Sequence, residues 1–143
     1  MGYKFLEDVA IADVAFVAEG KTLDQMMNSS AIALTSSMIK DIAKIETKKT
    51  VKIKIESKNE EQLLHDFLQE LIFLKDAKLL LFREFEIQIG KKEDKFFLKA
   101  QLKGEKIDMK KHELLVDVKA VSFHRFEVKK EKNGWKCFVI LDV

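Results

Sequence analysis

The chain has 143 residues, of which 47% are hydrophobic and 35% are charged, a balance typical of a globular domain and not of a disordered segment. Lys and Arg total 26 against 24 Asp and Glu, so the formal net charge is only +2. This balance argues against nucleic-acid binding by bulk charge, which depends on many cationic contacts to phosphates. The length predicts one domain over residues 1–143.

The motifs that the sequence contains and lacks further restrict the class of protein. No apolar run approaches the roughly 20 residues that a membrane-spanning helix needs, and the first residues, MGYKFLEDVA, lack a secretory signal, so we expect a cytoplasmic protein without membrane contact. The single cysteine, Cys137, excludes an internal disulfide and is expected in the core. Phosphate-binding glycine loops and the serine-hydrolase elbow are absent, so the sequence does not indicate an enzyme.

The first half of the chain predicts two short strands, a helix, a strand and a second helix. YKFLE and DVAFVAEG are the short strands, and Thr22 with Gln25 forms a capping box that begins the first helix. The apolar stripe of this Met-bearing helix predicts packing against a core. KKTVKIKIES alternates as a strand with one wet face, and Asn59 with Gln62 begins a central buried helix. His65 is expected on the solvent side of that helix.

The second half is rich in predicted strands. LLFREFEIQIG, DKFFLKAQLKGE, DVKAVSFHRFEVKK and WKCFVILDV all read as strands, and the Asn133–Gly134 pair is typical of the tight hairpin joining the last two. The whole pattern predicts an α+β fold with a mainly antiparallel β-sheet and two principal α-helices packed on one side.

Carboxylates occur at both ends of the chain within apolar strands. Asp13 interrupts VAIADVAF, and Asp142 continues the apolar row of the last strand, followed by the terminal carboxylate of Val143. If these ends meet, crowded carboxylates repel unless a cation neutralises them, and oxygen ligands suit Ca²⁺, Mg²⁺ or Mn²⁺. Composition and spacing alone favour a plainer interpretation, in which Asp142 ends a strand and Asp13 caps a turn.

A second polar group is GEKIDMKKHE, which contains Lys111 and His112. A dense mixture of charge between two strands is usually a solvated loop, although such lysines could meet phosphate, a nucleotide or an acidic partner. His124 is as compatible with packing or surface exposure as with catalysis.

Five separated motifs together resemble the archease family across essentially the whole chain. They are FLED with ADVAFVAEGKTLDQMMNSSAIALTSSM, then LLHDFLQELIFL, GEKID with KHE, VKAVSFH, and the closing ILDV. The resemblance implies an accessory protein, not an enzyme, that activates an RNA ligase of the RtcB type in tRNA splicing and RNA repair. It promotes the GTP- and metal-dependent guanylylation of the ligase and its multiple turnover; the ligase uses the GTP and contacts the RNA.

The resemblance also implies site residues. Asp13 and Asp142 match acids of the family metal site, with Val143 as a further oxygen donor and Ca²⁺ expected before Mg²⁺ or Mn²⁺. Lys111, His112 and Lys119 become candidates for contact with the partner or a nucleotide. Many archeases have E-H-T-A-D where this chain has EDVAIAD. Asp8 is therefore the candidate that replaces the histidine, or else a cap.

Two further functions stay open at this stage. One is a metal-independent chaperone or specificity modulator of RNA-modifying enzymes such as tRNA methyltransferases, with the Met-bearing helix or an exposed sheet edge as the contact. The other is an autonomous hydrolase using the acids and His124, for which no nucleophile and base stand at a recognisable spacing. The oligomeric state is not specified by the sequence.

Overall fold

Eight strands and two long helices are present in the part of the chain that the structure describes. The computed structural model describes residues 2–6 and 13–143, with the backbone alone at Asp13. The elements are β1 (Tyr3–Leu6), β2 (Asp13–Gly20), α1 (Leu23–Met38), a 3₁₀ helix (Ile42–Lys44), β3 (Lys49–Ser57), α2 (Glu60–Lys78), β4 (Leu80–Lys92), β5 (Lys95–Lys106), β6 (Ala120–Val121), β7 (Glu127–Glu131) and β8 (Gly134–Asp142). The predicted α+β class is confirmed.

The strands form two antiparallel sheets that share the helices. One sheet has the order β1-β2-β8-β6, with β7 also paired to β8, and the other has the order β3-β5-β4. Helix α1 contacts β2 and β8 of the first sheet and β4 of the second, while α2 contacts β3, β4, β5, β6 and β7. The helices and both sheets contribute to one hydrophobic cluster. The antiparallel pairing predicted from the sequence is thus present, distributed over two sheets.

Both predicted helix starts are confirmed by their caps. Thr22 Oγ1 accepts a hydrogen bond from the Gln25 N–H at 3.3 Å, and Asn59 Oδ1 accepts one from the Gln62 N–H at 2.8 Å. Each bond satisfies a backbone donor that the first helical turn leaves free. Within the ranges that the structure describes, no helix is long and apolar enough to cross a bilayer.

The packing predictions for the Met-bearing helix and for the cysteine are also confirmed. Met26 and Met27 are fully buried, Met38 is 4% exposed, and Cys137 is 1% exposed. Burial raises the pKa of the Cys137 thiol to about 11, although a hydrogen bond with Ser30 opposes this shift. These three methionines therefore cannot form the contact surface that the chaperone hypothesis assigned to α1.

The predicted strand over residues 117–130 is wrong as one element. It is divided into the two-residue β6 and the five-residue β7. Between them Arg125 has a φ of 57°, and the Phe126 N–H donates to the Phe123 carbonyl at 3.2 Å. This tight turn lets both short strands pair with β8. The hairpin that follows is confirmed, but its two connecting residues are Lys132 and Asn133, one position earlier than predicted.

Candidate functional site

The register between β2 and β8 brings the start of β2 next to the end of β8. Asp13 lies directly opposite Asp142 in this antiparallel pair, at the end of the sheet where β8 finishes. Asp142 is exposed, and Val143, which follows it, is 37% exposed. The backbone therefore places two of the sequence-predicted metal ligands at neighbouring positions and the third beside them. Asp8 lies outside the described residues.

The other side of β8 adds Lys119 to this end of the sheet. Ala120 in β6 lies opposite Asp142, and the Lys119 N–H donates to the Asp142 carbonyl at 2.8 Å. The Lys119 side chain is exposed. We call Asp13, Asp142, Val143 and Lys119 the acidic strand end. It unites four of the seven candidate residues from three separate segments of the chain.

Helix α2 holds the segment that carries Lys119. His65 Nε2–H donates to the Val121 carbonyl at 2.8 Å, and the Val121 N–H donates to Gln69 Oε1 at 2.7 Å. Lys75 Nζ donates to the Val118 carbonyl at 2.8 Å. Three side chains of one helix thus replace the strand partner that β6 lacks on this side. The short β6 is fixed between α2 and β8.

Lys75 is the anchor of this arrangement. Its side chain is 8% exposed, and Nζ lies 2.7 Å from Asp117 Oδ1 and 2.9 Å from Asp76 Oδ1. The hydrogen bond with Lys75 lowers the pKa of Asp117 below its ordinary value. A buried ammonium must be paired to be tolerated, and here the pairing ties α2 to the start of the segment leading to Lys119.

The prediction that His65 faces solvent is wrong. His65 is 6% exposed, and its ring stacks on Phe123 with centroids 3.7 Å apart and an interplanar angle of 8°. Phe126 meets the same ring edge-on. The turn between β6 and β7 covers this helix face. Helical periodicity did not reveal the covering because it comes from a segment more than 50 residues later in the chain.

The polar group GEKIDMKKHE forms a second, separate cluster around Glu105. Glu105 is 6% exposed, and its carboxylate accepts hydrogen bonds from the Glu46 N–H at 2.7 Å and from His112 Nε2–H at 3.0 Å. Lys111 Nζ lies 2.7 Å from the same carboxylate and 3.3 Å from that of Glu46. We call these four residues the Glu105 cluster.

The electrostatics of the Glu105 cluster stabilise its charges. Burial alone would raise the pKa of Glu105, but the hydrogen bonds from Glu46, Lys111 and His112 outweigh it and lower this pKa to about 2. The pKa of Lys111 is raised by its hydrogen bond to Glu105, against the opposing effect of burial. The ion pair is therefore fully formed at neutral pH.

The Glu105 cluster uses its polar groups internally. His112 is 1% exposed, and its Nδ1 accepts a hydrogen bond from the Asp108 N–H at 2.9 Å, so both ring nitrogens are bonded within the chain. The Lys111 side chain remains 30% exposed. This geometry explains the polar density of the loop by structure, and partner contact through Lys111 or His112 stays a prediction. His124, in contrast, lies exposed in the turn before β7.

Sequence reasoning missed His65, Gln69 and Lys75 as supports of the acidic strand end. Lys75 carried a readable signal, because it continues the apolar stripe of Leu68 and Leu71 at helical spacing. A lysine on an apolar stripe requires a buried partner. Among the side chains that the structure describes, which do not include that of Asp13, no group of three or more His, Cys, Asp or Glu residues could hold a metal ion.

Comparisons with known proteins agree across the chain. The Archease protein family (MTH1598/TM1083) matches residues 3–143. Protein archease of Pyrococcus abyssi is 35% identical over 133 residues, covering 92% of this chain and 93% of that protein. Protein archease of Methanosarcina barkeri is 33% identical over 142 residues, covering 99% and 95%.

Solved structures give the same result for the fold. The solution structure of Methanobacterium thermoautotrophicum protein 1598 superposes with a TM-score of 0.87 at 34% identity, covering 99% of both chains. The crystal structure of an archease from Thermotoga maritima, described as a possible chaperone, has a TM-score of 0.61 at 15% identity, covering 94% of this chain and 93% of that chain. At that identity the second likeness concerns the fold alone.

Proposed function

The chain belongs to the archease family, and we propose that it is an accessory protein that activates an RtcB-type RNA ligase in tRNA splicing and RNA repair. In this proposal it promotes the GTP- and metal-dependent guanylylation of the ligase and its multiple turnover. The ligase consumes the GTP and performs the joining reaction. The protein itself acts as a cofactor of that enzyme in the cytoplasm.

The pairing of Asp13 with Asp142 is the observation that supports a metal site. Residues directly opposite in antiparallel strands have β-carbons about 4.5–5.5 Å apart, and like charges there are unfavourable. A divalent cation removes this repulsion, and carboxylate oxygens suit Ca²⁺ first, with Mg²⁺ and Mn²⁺ as alternatives. In the proposal Asp13, Asp142 and Val143 hold the ion, and Asp8 supplies a further oxygen.

Lys119 gives the acidic strand end a second chemical function. Its backbone is fixed to the Asp142 carbonyl, while its side chain is exposed. An ammonium group next to a bound cation suits an anionic partner. We assign to Lys119 a contact with the guanylate phosphate or with an acidic surface of the ligase, so that the cation and the lysine meet the same region of the enzyme.

The decisive experiment measures guanylylation of the ligase in the presence of wild-type protein, Asp13→Asn or Asp142→Asn. We expect both variants to lose most of the stimulation, since a neutral amide at either position weakens cation binding. Asp94→Asn, an exposed position between β4 and β5, is the matched control and should stimulate fully. Thermal melts establish that each variant is folded, and calorimetric titration with CaCl₂ measures the ion directly. Full stimulation by both site variants would overturn the proposal.

The alternative function is a metal-independent chaperone or specificity modulator of RNA-modifying enzymes such as tRNA methyltransferases. The observation that favours it is a set of large apolar side chains left in solvent: Met109 is 72% exposed, Phe123 is 66% exposed and Leu115 is 52% exposed. Exposed apolar side chains suit contact with another protein where they form a contiguous patch. If Asp142→Asn suppresses the aggregation of a tRNA methyltransferase as strongly as the wild type does, that result would favour this alternative.

A further inference from the structure

The outer face of the three-stranded sheet is covered by neither helix. The inward residues Leu98, Ala100 and Leu102 of β5 belong to the core shared with α1 and α2. The outward side chains of the same sheet are mostly exposed and rich in lysine. We call this surface the lysine face and define it by six outward residues: Lys52, Lys54, Lys92, Lys95, Phe97 and Lys99.

The central strand of the lysine face alternates cations with an aromatic ring. The outward residues of β5 are Lys95, Phe97, Lys99, Gln101 and Lys103, because alternate residues of a strand share a face. The Lys99 ammonium lies 5.8 Å from the centroid of the Phe97 ring. Basic and aromatic side chains on a sheet surface are the groups that bind single-stranded nucleic acid, through phosphates and base stacking respectively.

Two pairs of lysines on the lysine face lie directly opposite each other on neighbouring strands. Lys54 lies directly opposite Lys99, and Lys92 lies directly opposite Lys95. Like charges directly opposite are destabilising. Lys54 has Glu56 at 3.7 Å, but among the described residues Lys92, Lys95 and Lys99 have no ion pair within 4.0 Å. An anionic ligand would relieve both lysine pairs at once.

The Phe97 ring packs over Gly90, its partner on β4. A β-carbon at Gly90 would lie 2.3 Å from Cζ of the Phe97 ring, so the ring occupies space that only glycine leaves open. Phe97 is nevertheless only half-buried. It forms part of the lining of a depression of about 430 Å³, whose cationic residues are Lys54, Lys92, Lys95 and Lys99 and whose acidic residues are Glu56 and Glu93.

We propose that the lysine face binds a single-stranded polynucleotide, with phosphates at Lys54, Lys95 and Lys99 and a base stacked on Phe97. The aromatic ring favours a polynucleotide over an acidic protein segment, because every base has a π-face to stack while acidic side chains have none. The surface lies on the other sheet from the acidic strand end. Its binding is measured without a ligase, so the result is independent of the function proposed above.

The first test compares two double variants that remove the same charge. Fluorescence anisotropy measures binding of a labelled 15-nucleotide oligo(U), and of oligo(dT) in a parallel series, to the full chain at several salt concentrations. We expect Lys95→Gln/Lys99→Gln to weaken binding at low salt by roughly 10-fold or more. Its salt slope should fall by about 1.4, since each phosphate contact to a single strand contributes about 0.7. Lys44→Gln/Lys129→Gln, two exposed lysines outside the face, should bind within about 2-fold of wild type.

The second test separates stacking from charge. Phe97→Leu keeps an apolar cover over Gly90 but removes the ring, and we expect about 10-fold weaker binding with an unchanged salt slope. Phe97→Tyr should bind as the wild type does. Thermal melts are compared for all variants, so that a binding loss in a folded protein is distinguished from unfolding.

Three results would overturn the proposal. They are no oligonucleotide binding by wild type at low salt, equal losses in the two lysine double variants, and no effect of Phe97→Leu in a folded protein. Binding of labelled poly-Glu, measured in the same way, tests whether the face instead binds an acidic protein segment. If Lys95→Gln/Lys99→Gln weakens poly-Glu binding while Phe97→Leu binds poly-Glu as the wild type does, the face binds an acidic protein surface instead.

Discussion

The acidic strand end and the Glu105 cluster both concentrate carboxylates, yet they place them in opposite surroundings. In the Glu105 cluster the carboxylate is buried and accepts hydrogen bonds from a backbone N–H, a lysine and a histidine. At the acidic strand end Asp142 is exposed and lies opposite another aspartate. The first carboxylate has its cations within the chain, whereas the second has a like charge as its neighbour.

This contrast separates a structural polar cluster from a candidate binding site. The segment GEKIDMKKHE stands out in the sequence because its charged residues are adjacent. Adjacent charged residues can form ion pairs and hydrogen bonds with one another. Asp13 and Asp142 are far apart in the sequence, and the fold places their backbones opposite each other as a pair of like-charged residues. Neutralising a carboxylate should therefore cost stability in the cluster and very little at the strand end.

Removing the buried carboxylate should have the largest effect. Glu105→Ala leaves the His112 N–H and the Glu46 N–H without their acceptor, and it leaves the Lys111 ammonium with the Glu46 carboxylate alone. We expect the free energy of unfolding to fall by about 3 kcal/mol, as for other buried pairs that lose one partner. Urea denaturation measures the change. Glu113→Ala removes an exposed pair with Lys40 and should cost less than about 1 kcal/mol; equal losses would refute the distinction.

Lowering the pH should remove much of the stabilisation that the Glu105 carboxylate gives to the folded protein. The folded-state pKa of Glu105 is about 2, against an ordinary value of 4.5. A carboxyl whose pKa is lowered by folding stabilises the folded protein above its unfolded pKa, and this contribution is lost as the pH falls towards the folded pKa. The stability difference between wild type and Glu105→Gln should therefore shrink by roughly 2 kcal/mol between pH 4.5 and pH 2. A pH-independent difference in urea denaturation would contradict this.

Loss of the α2 anchor should have a smaller and more local effect. Lys75→Met fills the apolar stripe but leaves the Val118 carbonyl and Asp117 without the ammonium. We expect a loss of about 1–2 kcal/mol and faster amide hydrogen exchange at Lys119, whose N–H bonds to Asp142. Lys78→Met, at an exposed position of the same helix, is the control. Unchanged exchange at Lys119 would show that α2 does not hold this segment.

The smallest effect is expected at the acidic strand end without a cation. Asp142→Asn relieves the repulsion between paired carboxylates, so the free energy of unfolding should stay within about 0.5 kcal/mol of wild type or rise slightly. Addition of CaCl₂ should then raise the melting temperature of the wild type but not of the variant, because ligand binding stabilises only the protein that binds it. A metal-free loss above about 1 kcal/mol would instead place Asp142 among the structural carboxylates.

Local signals predicted much of the fold. The caps at Thr22 and Asn59, the alternation in β3 and the apolar stripe of α1 each depend on neighbouring residues, and all agree with the structure. The prediction of one strand over residues 117–130 was wrong because the turn within it depends on Arg125 in the left-handed region. Glycine and asparagine are the usual sequence signals for that conformation, and neither occurs at this turn. The division into two sheets is likewise a long-range property.

The site was predictable in a different way. Alternation along the last strand indicated that Asp142 extends an apolar row, and the resemblance to archeases paired it with Asp13; the register of β2 and β8 now places them side by side. The supports were not predictable, because His65, Gln69 and Lys75 bind backbone groups of a segment 40 to 60 positions away. Periodicity identifies a helix face, but it does not identify what later covers that face.

The central position of β8 also has a kinetic consequence. This strand pairs with β2, β6 and β7, so the first sheet lacks its centre until β8 has docked. Pairing Asp13 with Asp142 closes a loop of nearly the whole chain, and contacts of such high sequence separation form slowly. The acidic strand end therefore forms only in molecules in which β2 and β8 have paired, and binding at this end would report that long-range pairing.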